Sequence, residues 1–137
     1  MIVVGDTGPL YALADRDDAW HRRVAEWWGS EGHAVVVPVT VIPEVTYLLG
    51  SRIGAKAEDL FVRSLADGEL TVEPLESEDI ARAADLMRAY ADLALGFTDA
   101  SVIAIAERLM TRKILTTDRR HFGVVRPRHV KALTLLP

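Results

Sequence analysis

Met1-Ile2-Val3-Val4-Gly5-Asp6-Thr7-Gly8-Pro9-Leu10 is the stretch from which the rest of the chain can be read. Its apolar run, Ile2-Val3-Val4, is β-branched and suits a buried strand, while Gly5 and the turn residues after it mark the strand's exit. Asp6 therefore stands at the carboxyl end of a central strand. In open α/β sheets ligands bind at that edge, in the crevices between strand ends and the helices that follow them. The functional question becomes which other polar side chains reach the same edge.

Composition narrows the answer. A chain of 137 residues is expected to form one domain around one core. Half of its residues are hydrophobic and 26% are charged, an ordinary balance for a globular protein. No apolar run approaches the roughly 18 residues of a membrane span, and the first residues enter a strand instead of a basic leader, so a cytoplasmic protein without membrane contact is expected. The absence of cysteine excludes disulfides, thiolate metal sites and cysteine nucleophiles. A net charge of −4 excludes a wholly basic nucleic-acid surface, leaving local Lys/Arg clusters for any such contact.

Strand and helix signals then alternate along the chain, with no repeat and no low-complexity segment. Leu10 to Leu13 opens a short helix. Asp18 is the expected N-cap of a helix carrying Trp20, Val24, Trp27 and Trp28 and ending at Gly29 to Gly32. Ala34 to Val37 reads as a parallel strand, and Thr40 as the cap of a helix with Pro43 in its first turn, closed by Gly50. Glu44 shares a face of that helix with Tyr47 and Leu48, where an acid is costly to bury without a partner. Ala55 to Ala66 forms a helix ended by Gly68, and Leu70 to Val72 a short strand. Ser77 caps a helix with Ile80, Ala84 and Met87 as its apolar stripe. After a loop from Asp92 to Phe97, Thr98 caps a helix with Asp99 in its first turn and Val102, Ile103, Ala106 and Leu109 on its buried face. Ile114-Leu115-Thr116 is a strand ending at Thr117-Asp118, and Ala132 to Leu136 is a last edge strand. The fold class that follows is α/β: a central, mostly parallel sheet with helices on both faces.

In such a sheet Asp6, Glu44, Asp99 and Asp118 all reach one edge. Two unit charges 5 Å apart at an effective dielectric of 20 repel by about 3 kcal/mol, and four carboxylates make six such pairs. Helix N-terminal dipoles return only about 0.3 to 1 kcal/mol each. A cation must offset the rest. Oxygen donors select Mg2+ or Mn2+, no His or Cys pattern suggests a softer site, and the usual partner of Mg2+ is a phosphate, which points to phosphoryl transfer.

Asp6-Thr7 after the first strand, Pro43-Glu44 before Tyr47-Leu48-Leu49, Leu95-Gly96-Phe97-Thr98-Asp99-Ala100-Ser101, and Leu115-Thr116-Thr117-Asp118-Arg119-Arg120-His121-Phe122 together resemble a PIN-domain ribonuclease, and the length and layout resemble the VapC-type toxins of toxin-antitoxin pairs. The resemblance covers the whole chain. It implies a single PIN-like domain over residues 1–137, an Mg2+- or Mn2+-dependent endoribonuclease acting on RNA, inhibition by a VapB-type antitoxin, and a homodimer. It also implies Asp6 and Asp99 as principal metal ligands, with Glu44 and Asp118 completing a catalytic acid cluster. Thr7, Asp92 and Thr117 become candidates for contacts around the ligands, and Arg119 and Arg120 for contacts to flanking phosphates. The chain departs from the family pattern at Gly8, where a small hydroxyl residue is common; Thr7 is left as the nearby hydroxyl.

Plainer readings stand beside these. A single Asp after a strand is more often a turn former than a ligand, and it is the group of four that reverses the odds. His121 reads as a packing or surface residue beside Phe122 in preference to a base. Three tryptophans exceed what one short helix facing a core needs, so some are read as serving a partner surface. An aspartyl-phosphate phosphatase would need a second Asp where Gly8 stands. The remaining alternative is a catalytically weak PIN-like module that binds RNA or protein.

Overall fold

The computed structural model describes all of residues 1–137. In chain order the elements are β1 (Val3–Gly5), α1 (Thr7–Ala14), α2 (His21–Glu31), β2 (Val35–Pro38), α3 (Ile42–Arg52), α4 (Ala55–Ala66), β3 (Thr71–Glu73), α5 (Ser77–Ala89), α6 (Phe97–Arg108), β4 (Lys113–Leu115), α7 (Arg119–Val124) and β5 (Thr134–Leu136). The five strands form one sheet in the order β3-β2-β1-β4-β5, every pairing parallel. No helix is long and apolar enough to cross a membrane.

The strand order explains where a site can form. From β1 the chain steps outward to β2 and β3, then returns through α5 and α6 to pair β4 on the other side of β1. Consecutive crossovers of one hand that proceed in opposite directions put their helices on opposite faces and leave a crevice beyond the strand ends where the direction reverses. That reversal lies between β1 and β4, whose register pairs Val4 with Ile114 and Gly5 with Leu115. The successive residues Val3 and Val4 point to opposite faces. Val3, Val35 and Leu115 pack under Trp27 and Trp28 of α2, whereas Val4 and Ile114 join the main core with Ile103 and Ile105 of α6. From Ala100 through Ala106 every residue of α6 is buried, so this helix is the central pillar, each large aliphatic contributing about 1.5–3 kcal/mol by burial.

Several local expectations shift, each for a tertiary reason. The helices begin after Trp20, Val41, Glu76 and Gly96, not after Asp18, Thr40, Ser77 and Thr98. Thr40 instead shares a 2.7 Å hydrogen bond with Ser101, and Glu76 forms a capping box with Asp79. α2 ends at Glu31 with Gly32 as its cap, inside the expected Gly29 to Gly32 stretch, but α3 passes through Gly50, where any Cβ would lie 2.6 Å from Glu58 Oε1. The buried face of α5 is Asp79, Ala83 and Leu86, one position from the expected stripe, and Ile80 is 50% exposed. Asp79 turns the helix inward because Arg108 of α6 donates to both of its carboxylate oxygens at 3.1 Å.

Candidate active site

Asp6 leaves β1 with its N–H donating to the Leu115 carbonyl at 2.9 Å, which continues the β1–β4 ladder one residue beyond the strands. Its side chain is only 6% exposed, and Oδ2 accepts from the Thr116 hydroxyl at 2.8 Å. The same hydroxyl oxygen accepts from the Asp118 N–H at 2.9 Å. One buried threonine thus positions both strand-end acids. Burial, then the charge of Asp99, push the Asp6 carboxyl up to about 7, against the opposing hydrogen bond from Thr116.

Asp99 enters from the first turn of α6. Burial, then the charge of Asp118, raise its carboxyl to about 6, with His121 pulling the other way and Glu44 adding to the rise. Asp118 is the N-cap of α7, its Oδ1 accepting from the His121 N–H at 3.0 Å and its Oδ2 lying 2.6 Å from His121 Nδ1. Burial pushes Asp118 up, but the backbone and imidazole of His121 outweigh it and hold the carboxyl below its ordinary range. The same imidazole nitrogen lies 3.4 Å from Asp99 Oδ2, and the Asp118 hydrogen bond raises the His121 pKa above its usual value. When protonated, His121 supplies a counter-charge to both carboxylates.

Glu44 is exposed, which corrects the expectation that it is buried beside Tyr47; Tyr47 itself is 72% exposed. What fixes Glu44 is a pair of hydroxyls: Thr7 donates to Oε1 at 3.0 Å and Thr98 to Oε2 at 2.7 Å. The carboxylate is held between the first turns of α1 and α6, where both helix dipoles favour it.

Asp99, Asp118 and His121 each offer one ligand atom within 4.8 Å of the others. Asp6 and Glu44 lie outside that mutual set yet close enough that the charges of Asp6 and Asp99, and of Glu44 and Asp99, act on one another. Four carboxylates, two of them (Asp6 and Asp99) driven up by burial and like charge, are a donor set that fits a hard divalent cation.

Other candidates fall differently. Thr117 makes no hydrogen bond to Asp118; a Cβ at position 8 would stand 2.2 Å from its Oγ1, so its hydroxyl fills the space a side chain there would take. Asp92 is exposed in the turn Ala91–Leu93 and makes no hydrogen bond or ion pair with the cluster, although the neighbouring Leu93 backbone reaches His121. Arg119 and Arg120 are exposed at the start of α7, Arg119 donating to the Pro137 carbonyl at 3.0 Å. His121 is the main correction: it faces the acids because α7 begins directly after Asp118 and returns the third residue over its own cap. That spacing was legible. Thr98 and Thr116 were read only as a cap and a strand residue, and nothing local marks them otherwise. An open hollow of about 550 Å3 is lined by Leu10, Leu13, Trp28, Leu49, Phe61 and Leu70 among others and by none of Asp6, Glu44, Asp99 and Asp118.

The sequence and the fold have known relatives. The family model described as PIN domain matches residues 3–126. Ribonuclease VapC26 of Mycobacterium tuberculosis is 36% identical over 132 residues, which span 96% of this chain and 98% of that protein. The crystal structure of Mycobacterium tuberculosis VapC20, a Sarcin-Ricin loop cleaving toxin, aligns with a TM-score of 0.79 at 21% identity, covering 94% of this chain and 98% of the other. VapBC2 from Rickettsia felis, bound to a DNA fragment from its promoter, aligns over the whole of both chains with a TM-score of 0.70 at 12% identity. The two structures speak for the fold, and the sequence match for closer kinship. With the acids ordered along the chain as they are, this protein belongs to the PIN-domain family as a relative of the VapC ribonucleases.

Proposed function

We propose that the chain is a metal-dependent endoribonuclease that hydrolyses RNA phosphodiester bonds, and that it is the toxin of a type II toxin-antitoxin pair. One observation carries the reading: Asp6, Asp99 and Asp118, remote in sequence, meet at the β1–β4 crevice with Asp6 raised to about 7 and Asp99 to about 6. Such crowding of like charge is what a resident dication relieves. The kinship with a protein named as a ribonuclease supports the same reading.

Asp99 and Asp118, with Asp6 and Glu44, would hold Mg2+ or Mn2+, for which oxygen ligands are suited. When bound, such an ion supplies positive charge at the scissile phosphate and acidity to water, so that no protein nucleophile is required. The chain's own contribution is positioning. Thr116 orients Asp6 and Asp118, Thr7 and Thr98 orient Glu44, and His121, its Nδ1 beside both Asp99 and Asp118, can hold a proton between them. A VapB-type antitoxin is the inhibitor implied by this reading, a homodimer the assembly and the cytoplasm the location. The apolar hollow beside α1 and α4 suits an antitoxin's apolar side chains. The alternative, a binding module with inactive acids, sits poorly with a Glu44 held by two hydroxyls from two other elements.

The test is cleavage by the purified chain. RNA incubated with Mn2+ is expected to yield defined new ends that are absent in EDTA and absent with Asp99→Asn. Cleavage that persists in EDTA, or no cleavage with either ion, overturns the proposal.

A further inference from the structure

We propose that Trp20, stacked with Arg23 and flanked by Arg119, is a platform on which the active site stacks an unpaired RNA base. This rests on the ribonuclease reading above and adds to it a recognition element, a residue that holds one base of the RNA beside the acids.

The three tryptophans of the α2 region are not equivalent. Trp27 and Trp28 meet edge to face, with centroids 6.4 Å apart and planes at 67°, and both pack on core clusters. Trp20 joins neither cluster. Its ring is covered instead by the Arg23 guanidinium, 3.9 Å from the ring centroid, with that of Arg119 at 5.8 Å. Arg119 is the residue directly after Asp118, so the platform adjoins the acid cluster through the chain itself.

Its position is fixed from below. Asp18 Oδ1 accepts from the Trp20 N–H at 2.8 Å, and His21 Nδ1 lies 2.7 Å from the Ala12 carbonyl, tying the start of α2 to α1. Arg119 is tethered to the Pro137 carbonyl. Arg23, Arg119 and Arg120 are exposed and none is paired with a carboxylate, whereas neighbouring Arg22 is paired with Glu26. On a chain of net charge −4, three guanidinium groups without a side-chain carboxylate partner, two of them directly after Asp118, are the local cationic surface that RNA requires. Bases stack on aromatic rings and on guanidinium planes alike, with little regard for sequence. Within a duplex the bases face inward and cannot use such a surface.

The experiment uses the full chain and a labelled single-stranded oligoribonucleotide, with its blunt duplex as control. Binding is read by anisotropy in EDTA and cleavage in Mn2+. Trp20→Ala and Trp20→Leu are expected to weaken single-strand binding and raise KM about 5- to 100-fold, the range for removing one stacked base. kcat should stay within about twofold, because stacking binds ground and transition states alike. Trp20→Phe should recover most of the loss, and duplex binding should not change. Trp20→Leu keeps apolar bulk, so a common melting midpoint for the Leu and Phe variants separates stacking from folding. Wild-type KM in both Trp20→Ala and Trp20→Leu, with RNA still cleaved, overturns the platform alone. Single-strand binding that depends on Trp20 but is never followed by cleavage supports the platform and overturns the ribonuclease reading. Absence of any single-strand binding by the wild-type chain overturns the platform.

Discussion

Asp6 shows what assembling such a site costs. Its carboxyl titrates near 3.8 in an unfolded chain and near 7 in the fold, so the folded state keeps a proton that the unfolded state has released. Stability of the ion-free protein therefore falls as pH rises from about 4 to about 7, by on the order of 4 kcal/mol for this group. Asp6→Asn removes the charge and leaves an oxygen for the Thr116 hydroxyl. In EDTA at pH 8 its melting midpoint should lie above that of wild type, with a gain less than half as large at pH 5. An equal or lower midpoint at pH 8 would contradict the burial of an unneutralised carboxylate. Thr116→Val keeps the shape but strips a partner from Asp6 and from the Asp118 N–H. Outer partners of metal ligands are typically worth about 10- to 100-fold in activity, so cleavage should fall by that much and Thr116→Ser should restore most of it. Gly8 illustrates what one residue conceals. Its departure from the family pattern has a partner, Thr117, whose Oγ1 would be 2.2 Å from any Cβ there, and that fit between the first turn of α1 and the loop after β4 is invisible along the chain.

The α5–α6 pair shows how helices are locked in register by ionic contacts that periodicity does not reveal. Arg108 bridges Asp79, Glu73 and the Pro74 carbonyl, and Arg82 makes a two-pronged pair with Glu107. Asp79 is 2% exposed, so removing its cation leaves a buried charge with only the Glu76 N–H to offset it. Arg108→Ala is expected to cost about 3–5 kcal/mol in urea unfolding. Well below the midpoint its cleavage rate should match wild type, because Asp99 sits at the opposite end of α6. A rate loss in fully folded protein would show that the α5–α6 contact also sets site geometry. Glycine stops were legible where φ turns positive: α4 occupies Ala55–Ala66 as expected, between Gly54 and Gly68, both with positive φ, whereas α3 runs through Gly50 to Arg52. Helix starts were not, because Thr40 and Thr98 have hydroxyls suited to capping that the tertiary fold draws to Ser101 and Glu44.

Taken together, the charges would couple proton binding to the uptake of the proposed cation. Asp6 near 7, Asp99 near 6 and a raised His121 must all lose protons, or see them displaced, before a dication can occupy the cluster. Affinity for Mn2+ should therefore rise as pH climbs through this range. An ion at about a hundredfold above its Kd stabilises the fold by about 2.7 kcal/mol. Millimolar Mn2+ should raise the melting midpoint clearly at pH 8, little at pH 5.5, and less in Asp99→Asn than in wild type at either pH. Equal shifts in wild type and Asp99→Asn would sink the metal assignment.

Local chemistry sufficed for the alternation of strands and helices, for the parallel α/β class and for the placement of Asp6, Asp99 and Asp118 at strand and helix ends. β-branched runs, glycine stops and helical spacing act between near neighbours, so a linear reading captures them. The fold alone decided that β1 lies between β2 and β4, which creates the crevice, and that Thr116, Thr7 and Thr98 complete the acid cluster. Those hydrogen bonds join residues 110, 37 and 54 positions apart. A contact of that range depends on how whole elements pack, and no local pattern encodes it.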